Sequence, residues 1–588
     1  MNSNLRTVSH KVDLCVVGGG LAGMCAAVAA ARRGIKVALM HDRPVYGGNA
    51  SSEIRMWVCG AHGDNNRETG IIEEIALENL YRNPYRRYPM WDAILFELIK
   101  NEENITSILN CSCNDIEMNG SKIKSITGWQ TTTQCYHIVE ADYFADCSGD
   151  SILAPLSGAE YRWGRESRSE FNEDIAPETA DKKTMGLSCL IQARETDKKH
   201  KFIAPEWARK FTKEDLPYRL PDMNDPDENY WYMELGGEGD TIHDTEQIRD
   251  ELISVAYGIW DFVKNSGEYD AANWELDFVG FLPGKRESRR YVGDYIMNQN
   301  DVRSEGRFDD IIAYGGWTMD DHNPAGIDTR EKPNIFHPAP SPFGIPYRCV
   351  YSKNIENLYF AGRNISVTHT AMSASRVMAT CALLGQAVGT AAWLAVKESI
   401  TPREVREKHI EALKQALMYD GCYLPFNRME MSDLTKSAVI TSTGNNAEKL
   451  LNGLERTIDG DDNCWTGKTG DTITFEYDRE YPINEIRLVF NSDLNRETTG
   501  AGEYIPEKIT VCNIHKNAPA LNVPKTLVKS MKIELCSADN VWREINGIEN
   551  NHQRLVMVKV GEKAKAVRFT LTQTNGNEQA EIYSIDLK

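Results

Sequence analysis

Three glycines near the start of the chain have the spacing of a turn that binds the pyrophosphate of a dinucleotide. Gly18, Gly20 and Gly23 fit the pattern G-x-G-x-x-G and follow an apolar run at 12–17. In this pattern the first glycine permits a tight turn, the second lets the pyrophosphate approach the backbone, and the third lets helix and strand pack closely. The three glycines are therefore predicted to bind a dinucleotide cofactor.

The sequence around this turn fits a strand, a helix and a second strand. The helix predicted at 21–33 has alanine at six of its positions, so it can lie close to a sheet. Its N-terminus offers unpaired N–H groups to phosphates, and residues 35–40 complete a βαβ unit. Leu21 and Ala22, where the helix begins, are predicted to contact the cofactor. A glycine-rich turn in an unrelated α/β protein is the alternative.

The end of the second strand is where an acidic residue is expected to hydrogen-bond the adenosine ribose. His41 occupies this position, and Asp42 follows it. Either a shift of one residue lets Asp42 bind the ribose, or His41 takes that role. We favour Asp42.

A second glycine pair lies just after the second strand. Gly47 and Gly48 again let the backbone approach a ligand, and the polar run after them is rich in groups that can bond one. A polar surface loop is the alternative. The cofactor-binding residues predicted here are Arg43, Gly47, Gly48, Asn49, Ser51 and Arg55.

The order of strand, G-x-G-x-x-G, alanine-rich helix, strand and Arg-Pro-x-x-Gly-Gly at 43–48 resembles the FAD-binding domain of glutathione-reductase-type flavoproteins. The longer string at 42–55 is similar to the bacterial group of FAD-dependent oxidoreductases. The resemblance implies a Rossmann-like FAD-binding domain, with FAD rather than NAD as the cofactor and Gly47-Gly48 lying along it.

Two later segments extend the resemblance. The strand that ends at Asp146 leads into Ser148-Gly149-Asp150, where the resemblance implies that the chain returns to the cofactor. Short alternating runs at 105–139 before it, with Asn119-Gly120 as a turn, predict a β-meander. Ser148, Gly149 and Asp150 are therefore predicted cofactor-binding residues.

The second of these segments is a strand at 357–362 followed by a long helix of small residues, predicted at 371–397. The resemblance implies that this unit closes the FAD site and directs its helix N-terminus at the flavin, where reduced flavin carries negative charge. A buried alanine-rich helix without a ligand is the alternative. The predicted cofactor-binding residues here are Gly362, Arg363, Ser373 and Ala374.

Catalysis on a flavin calls for acid–base groups and substrate-binding side chains supplied by the protein. His369 and His62 are the candidate general bases because they lie near the cofactor segments, and His322 is a weaker candidate. Arg286, in the cationic run at 285–290, is a candidate clamp for an anionic or hydroxyl-rich substrate. A hydrogen-bonded core histidine and a solvated charged face are the respective alternatives.

The fold class predicted is an α/β FAD-binding domain with an inserted α+β substrate or cap domain, followed by an all-β sandwich. The FAD-binding domain is expected at 1–160 and 346–400, the inserted domain at 161–345, a helical connector at 401–438 and the sandwich at 439–588. The last region loosely resembles discoidin-like, galactose-binding-like domains, which bind glycans or pack on a neighbouring domain. Its predicted strands are 471–477, 485–490, 508–513, 554–560, 566–572 and 581–587.

Composition excludes several classes of partner. A net charge of −20 over 588 residues argues against nucleic acid and anionic membranes. No run of 18 apolar residues predicts a membrane span, and a polar N-terminus predicts a cytoplasmic protein, although a trimmed secreted form would look the same. Most of the 14 cysteines lie in apolar settings, so we expect buried thiols and no metal site.

These observations predict an FAD-dependent oxidoreductase that transfers a hydride between flavin N5 and a small polar substrate, such as a carbohydrate or sugar acid. A flavin-dependent C=C or ketone reductase, or a glycan-binding protein with structural FAD, is the alternative. The sequence has no second strand, G-x-G-x-x-G and helix that could bind a nicotinamide cofactor, and it has no redox-active cysteine pair. The electron partner is therefore expected to be oxygen, a quinone, a carrier protein or a second substrate.

Overall fold

The computed structural model describes residues 5–500 and 508–588, which form two compact units. Residues 63–85 belong to the second unit although they lie early in the chain, and residues 508–518 belong to the first. The first unit is Met1–His62, Arg86–Lys414 and Lys508–Ala518, and the second is Gly63–Tyr85, Gln415–Glu507 and Pro519–Lys588. The domain boundaries drawn from the sequence stay predictions.

A seven-stranded, Rossmann-like sheet forms the centre of the first unit. Its central strand, Thr7–Val17, pairs in parallel with Val37–Met40 on one side and Cys135–Asp146 on the other. These strands are parallel and covered, so their inner halves are continuous apolar runs. The strand order is Ile105–Ile108, Val37–Met40, Thr7–Val17, Cys135–Asp146, Lys122–Gln130 and Cys111–Asn119, with Leu358–Phe360 also pairing Cys135–Asp146.

The β-meander predicted at 105–139 is only partly correct. Its first strand, Ile105–Ile108, pairs in parallel with Val37–Met40 rather than with its successor. The remaining strands are antiparallel, and the predicted turn at 119–120 joins Cys111–Asn119 to Lys122–Gln130. A short strand at the edge of a parallel sheet cannot be told from a meander strand by sequence, because apolar and polar residues alternate in both.

Two alanine-rich helices of the first unit pack at backbone contact. A Cβ atom on Gly385 or Gly389 of Met378–Glu398 would lie 2.0 or 2.1 Å from a carbonyl oxygen of Leu21–Arg32. Small residues on both helices therefore permit this contact. Met378–Glu398 is also long and apolar enough to cross a membrane, but 89% of its apolar window is buried inside the protein.

The single helix predicted at 371–397 is wrong, because the structure divides it into His369–Ser375 and Met378–Glu398. Val377 between them is extended, with φ −64° and ψ 145°. The interruption ends the first helix at Ser375 and gives the second its own N-terminus. It also places the Arg376 side chain between two helices rather than along one.

The middle of the first unit contains small sheets and the helix Thr245–Asn265, which matches the helix predicted at 246–264. Its apolar side, which includes Trp260, packs in a cluster with Leu187, Tyr230 and Trp274. The other helices of this unit are Tyr88–Lys100, Leu153–Ser157, Arg168–Phe171 and Gln299–Arg303. The helix Pro402–Tyr419 belongs to this unit as far as Lys414. The short strands are Tyr161–Arg162, Leu187–Ser188, Ile191–Glu195, Glu234–Leu235, Trp274–Val279, Gly284–Lys285, Arg290–Tyr291, Ile311–Gly315, Met319–His322, Asn334–His337 and Phe343–Pro346.

The second unit is an all-antiparallel β-sandwich around Trp465, Phe475 and Phe569. Its strand order is Trp465–Lys468, Gln579–Leu587, Thr472–Phe490, Leu555–Thr574, Val528–Cys536 and Trp542–Ile548, with Val439–Ser442 pairing Thr472–Phe490. It also contains the helices Ile71–Arg82 and Asp433–Ser437.

The strand predicted at 508–513 is wrong, and Val528–Cys536 and Trp542–Ile548 were missed. Residues 508–518 are irregular and belong to the first unit, where Ile514 N donates to Ala193 O at 2.8 Å. Their backbone groups are thus bonded outside the sandwich, although their sequence alternates like a strand.

Candidate active site

A cavity of about 450 Å³ in the first unit gathers segments that are far apart in the sequence. This volume is within the range of about 300–1,000 Å³ found for small-molecule sites. The two glycine turns, the loop after Cys135–Asp146 and the loop after Leu358–Phe360 all contribute to its wall. The predicted cofactor residues on the wall are Gly18, Gly20, Leu21, Ala22, His41, Asp42, Arg43, Gly47, Gly48, Asn49, Ser148, Gly149, Asp150, Gly362 and Arg363.

The three glycines of the first turn have different tasks. Gly18 has φ +106°, and a Cβ atom on it would lie 2.4 Å from Cys147 O. A Cβ atom on Gly23 would lie 1.8 Å from Gly18 O, so this glycine lets the helix begin against the turn without itself reaching the wall. For Gly20 the nearest atom would be Gly48 Cα at 3.8 Å. The fold therefore needs Gly18 and Gly23, whereas a Cβ atom on Gly20 would make only an ordinary van der Waals contact.

The second glycine turn lies directly against the first. Gly47 N donates to Gly19 O at 2.9 Å, and a Cβ atom on Gly48 would lie 3.0 Å from Gly20 Cα. Gly47 and Gly48 both have positive φ, which glycine adopts without strain. The two turns form a side-chain-free surface at the head of a helix, which suits a pyrophosphate.

His41 is buried and holds the first turn in place. Gly19 N donates to His41 Nδ1 at 3.0 Å, and the Nε2 atom lies 3.0 Å from Val45 O. Because Nδ1 accepts, we assign the proton to Nε2, which donates to the carbonyl. Both ring nitrogens are thus engaged within the protein. The Asp42 side chain lines the cavity and is 56% exposed, with its Oδ1 atom 3.3 Å from His41 Nδ1. This geometry favours Asp42 as the ribose-binding residue.

Asp150 pairs with two cationic side chains at the cavity wall. Its Oδ1 accepts from Arg363 Nη2 at 2.7 Å and from Ser288 Oγ at 2.8 Å, and its Oδ2 accepts from Lys285 Nζ at 2.8 Å. Burial alone would raise the pKa of Asp150, but Arg363 and Lys285 hold it below its usual value. The carboxylate is therefore charged and fixes the direction of both cations.

Asp146 holds the loop that follows it through hydrogen bonds to backbone N–H groups of that loop. It is fully buried and accepts from Ser148 N at 3.0 Å, from Leu153 N at 2.8 Å and from the Tyr291 hydroxyl at 2.6 Å. Burial raises the pKa of Asp146. Its role was not assigned from the sequence, although it is the first residue of the Asp-Cys-Ser-Gly-Asp string.

The charge of the wall suits an anionic ligand. Arg43 Nη1 and Arg363 Nε are buried without a hydrogen-bond partner, so the protein alone leaves donors unsatisfied here. Guanidinium groups pair well with phosphate and carboxylate. The acidic side chains on the wall are Asp42 and Asp150, and they are outnumbered by the basic side chains Arg43, Lys285, Arg286, Arg289, Arg363 and Arg376.

The glycine surface and these donors fit the diphosphate of FAD. Lys285 and Arg289 were not singled out from the sequence, although they lie in the cationic run that contains Arg286. In the described part of the chain, no group of three or more His, Cys, Asp or Glu side chains is placed to hold a metal ion.

Several predicted cofactor residues lie away from the wall, and their roles stay predictions. The Arg55 guanidinium is 3.9 Å from the centroid of the Phe278 ring and 3.5 Å from Asp277 Oδ2. Ser51 is buried, and Ser373 and Ala374 are buried within the helix His369–Ser375. The helix break described above explains the last two, because the cavity wall includes Arg376, Val377 and Met378 but no residue of His369–Ser375.

Of the candidate catalytic residues, Arg286 lines the cavity and His369 does not. His369 Nδ1 lies 2.9 Å from Glu287 Oε2, and Nε2 lies 3.2 Å from Asp321 Oδ1. Burial alone would lower the pKa of His369, but the two carboxylates raise it to about 10. A histidine that is protonated near neutral pH holds charge rather than accepting a proton, which disfavours the predicted general-base role.

His62 is exposed and stacks on Trp317, with ring centroids 4.2 Å apart. It lies three residues after Cys59, which is on the cavity wall. His322 is buried between Glu234 and Asp320. Neither histidine lines the cavity, so a catalytic role for His62 stays a prediction.

The chain is similar to solved carbohydrate-binding modules over 27% of its length and matches one family model over most of it. A search of curated proteins found no match. Solved structures with some similarity include the family 32 carbohydrate-binding module of Streptococcus pneumoniae EndoD, at 13% identity and TM-score 0.20, covering 27% of this chain and 99% of that one. The family 32 module of C. perfringens NanJ, solved with galactose, is 10% identical with TM-score 0.18, covering 27% of this chain and 97% of that one.

A family model matches the N-terminal two thirds of the chain. The model described as FAD dependent oxidoreductase matches residues 13–417. This range is more than half of the chain and includes every segment of the cavity wall. The chain therefore belongs to the FAD dependent oxidoreductase family and is an enzyme with FAD as its cofactor.

Proposed function

We propose that this oxidoreductase transfers a hydride between flavin N5 and a small polar substrate, a carbohydrate or sugar acid, bound in the same cavity. The observation that carries the proposal is the contact of Gly20 with Gly48 beneath a cation-rich wall. This arrangement supports a pyrophosphate over the two glycines and an adenosine ribose at Asp42. FAD, when bound, supplies the hydride acceptor or donor.

The region predicted as an inserted domain supports a substrate site in the same cavity. Ser188, Leu190, Ile242 and Leu282 contribute to the wall from this region, alongside Arg286. Apolar side chains with a few polar groups are typical of small-molecule sites. We propose that these residues exclude water and orient the substrate carbon that loses the hydride.

His62 is the proposed proton acceptor for an alcohol substrate. Loss of hydride from the carbon and of a proton from its hydroxyl leaves a carbonyl, and the proton requires a base. The ring of His62 is exposed and does not line the cavity, so it would take that proton through an intervening water and pass it to solvent. Replacement by glutamine is expected to lower kcat by about 100-fold near neutral pH and to remove one limb of the pH profile.

Anaerobic spectroscopy of the FAD-bound enzyme tests the proposal. We expect a sugar or sugar acid to bleach the flavin absorbance, with formation of one carbonyl per flavin reduced. Air, a quinone or another acceptor then restores the oxidised spectrum and identifies the electron partner.

The alternatives give different results in the same experiment. A reductase of an activated C=C or a ketone is indicated if sugars leave the spectrum unchanged and a chemically reduced flavin is reoxidised by an enone or ketone. A flavin that responds to neither class contradicts the proposal and favours a structural FAD.

A further inference from the structure

A row of buried charged side chains connects two arginines of the cavity wall. Arg286 Nη1 lies 3.0 Å from Glu234 Oε2, and Glu234 Oε2 lies 2.9 Å from His322 Nδ1. His322 Nε2 lies 3.1 Å from Asp320 Oδ2, which lies 3.2 Å from Arg376 Nη2. Each histidine nitrogen therefore faces a carboxylate, and each carboxylate faces a wall arginine.

The side chains in this row are buried and hydrogen-bonded. The side chains of Glu234 and His322 are 0% and 3% exposed. Burial alone would raise the pKa of Asp320, but His322 and Arg376 hold it far below its usual range. Arg286 also donates to Ser188 Oγ at 2.9 Å, so the protein satisfies it from several sides.

Arg376 is less well satisfied than Arg286. Its Nε atom is buried without a hydrogen-bond partner. Its carboxylate neighbour, Asp320, also accepts from Asn334 Nδ2 at 2.5 Å and faces His322. A carboxylate shared among three groups leaves a guanidinium with capacity for a second anion. Arg376 lines the cavity, so that anion belongs to a ligand.

We propose that Arg376 binds a carboxylate group of the substrate, and that Asp320, His322, Glu234 and Arg286 fix its guanidinium in position. This inference rests on the proposed function because it takes the cavity as the substrate site, and it selects acids over neutral sugars. The planar fork of arginine matches a carboxylate with two parallel hydrogen bonds, which adds orientation to affinity.

The wall beside Arg376 suits the rest of such an acid. Ala379 N donates to Cys59 O at 3.0 Å, which brings the segment with Trp57 next to the start of Met378–Glu398. Trp57 and Cys59 both line the cavity. An aromatic side chain near a cation accommodates a small acid with an apolar face, as small-molecule sites commonly do.

Equilibrium binding with two matched sugars tests the proposal without turnover. D-glucuronate and D-glucose differ only at C6, where glucuronate carries the carboxylate, and acetate serves as the minimal carboxylate probe. Binding to oxidised, FAD-loaded enzyme is measured anaerobically by equilibrium dialysis and by the change in the flavin spectrum. We expect glucuronate to bind at least about tenfold more tightly than glucose, a difference of ~1.4 kcal/mol.

Variants assign that preference to the proposed residues. Arg376→Met is expected to weaken glucuronate binding to the level of glucose and to leave glucose binding unchanged, with partial recovery in Arg376→Lys. His322→Gln is expected to weaken glucuronate binding several-fold, again with unchanged glucose binding. Arg543→Met, which alters an exposed arginine paired with Glu562, is the control and is expected to change neither.

Three results would overturn the inference. The first is equal binding of the two sugars by the wild-type enzyme, and the second is no saturable binding of either glucuronate or acetate. The third is loss of FAD from Arg376→Met with an unchanged preference in the remaining loaded enzyme, which would place Arg376 on the cofactor. Carboxylate binding that depends on Arg376 while no sugar bleaches the flavin would instead contradict the proposed function alone.

Discussion

Arg363 Nη2 donates to Asp150 Oδ1 at 2.7 Å and joins two cavity loops that are 213 positions apart in the sequence. Asp150 also accepts from Lys285, so a single carboxylate orients two cations. Asp150→Asn keeps the shape of the side chain and removes its charge. We expect the free energy of unfolding to fall by about 1–3 kcal/mol, because two partly buried cations lose their counter-ion.

Urea unfolding of the apoprotein measures this effect. The exposed Asp270→Asn changes the net charge equally and is expected to leave the unfolding midpoint within about 0.5 kcal/mol of wild type. Equal effects of the two substitutions would mean that the Asp150 pairs contribute no stability.

Gly20→Ala separates cofactor binding from folding. Gly20 has φ −68°, which alanine adopts readily, and the added Cβ atom meets nothing closer than 3.8 Å. We expect a normally folded protein whose affinity for FAD falls at least about 100-fold, because the methyl group occupies the approach of the pyrophosphate. Flavin fluorescence titration of the apoprotein gives the affinity, and thermal unfolding monitors the fold.

Gly18→Ala is the matched comparison for this experiment. Its Cβ atom would lie 2.4 Å from Cys147 O at a positive φ, so we expect loss of stability as well as loss of FAD. If Gly20→Ala retains FAD with wild-type affinity, the pyrophosphate does not lie over this turn.

Asp42→Asn tests the assignment of the ribose-binding residue. The Asp42 carboxylate is 56% exposed on the cavity wall, so its replacement should leave stability unchanged and weaken FAD binding roughly tenfold. His41→Ala is expected to destabilise the protein by about 1–3 kcal/mol, because the buried Gly19 N–H loses its acceptor. A stable His41→Ala protein that loses FAD more severely than Asp42→Asn would reverse the assignment.

The strand, turn and helix at the start of the chain could be predicted from the sequence because their determinants are local, whereas the binding of the cofactor at this turn stays a prediction. Gly18, Gly20 and Gly23 act within one strand–turn–helix, and the structure has a helix at Leu21–Arg32 where it was predicted. The strand at 508–513 failed for the opposite reason. Its alternation is local, but its hydrogen bonds are made with distant residues such as Pro226.

The candidate catalytic residues show the same limit. His369 was chosen for its position before the closing helix, but its carboxylate partners come from Glu287 and Asp321, about 80 and 50 residues away. Arg376 gains its place on the cavity wall from the break at Val377, and nothing in an alanine-rich run marks that break. Contacts between distant segments decided the first outcome, and a local backbone break that the sequence does not mark decided the second.

Gly385→Ala tests the packing of the closing helix. The added Cβ atom would lie 2.0 Å from Ala22 O, so the helix must move away from Leu21–Arg32. We expect a loss of about 2–4 kcal/mol in the free energy of unfolding, despite the higher helix propensity of alanine. Gly258→Ala, in Thr245–Asn265, would bring its Cβ atom 1.9 Å from Arg209 O and is expected to behave alike. A gain in stability at Gly385 would contradict this close contact.

His369 makes the stability of the protein depend on pH in a defined direction. Glu287 and Asp321 raise its pKa to about 10, above the ordinary value of 6.5 expected in the unfolded chain. Glu166 accepts from its backbone N–H at 2.8 Å, and Arg290 neutralises part of this acidic group. A raised pKa in the folded state means that the folded state binds the proton more tightly.

The stabilisation from this histidine is therefore complete below about pH 6.5 and is lost as the pH rises through about 10. His369→Gln should be less stable than wild type by a few kcal/mol at pH 6, and the difference should shrink steadily toward pH 10. Urea unfolding of both proteins across this range measures it, with the exposed His243→Gln as control. A difference that stays constant from pH 6 to 10 would mean that His369 is not held as a cation, and its predicted role as a general base would regain support.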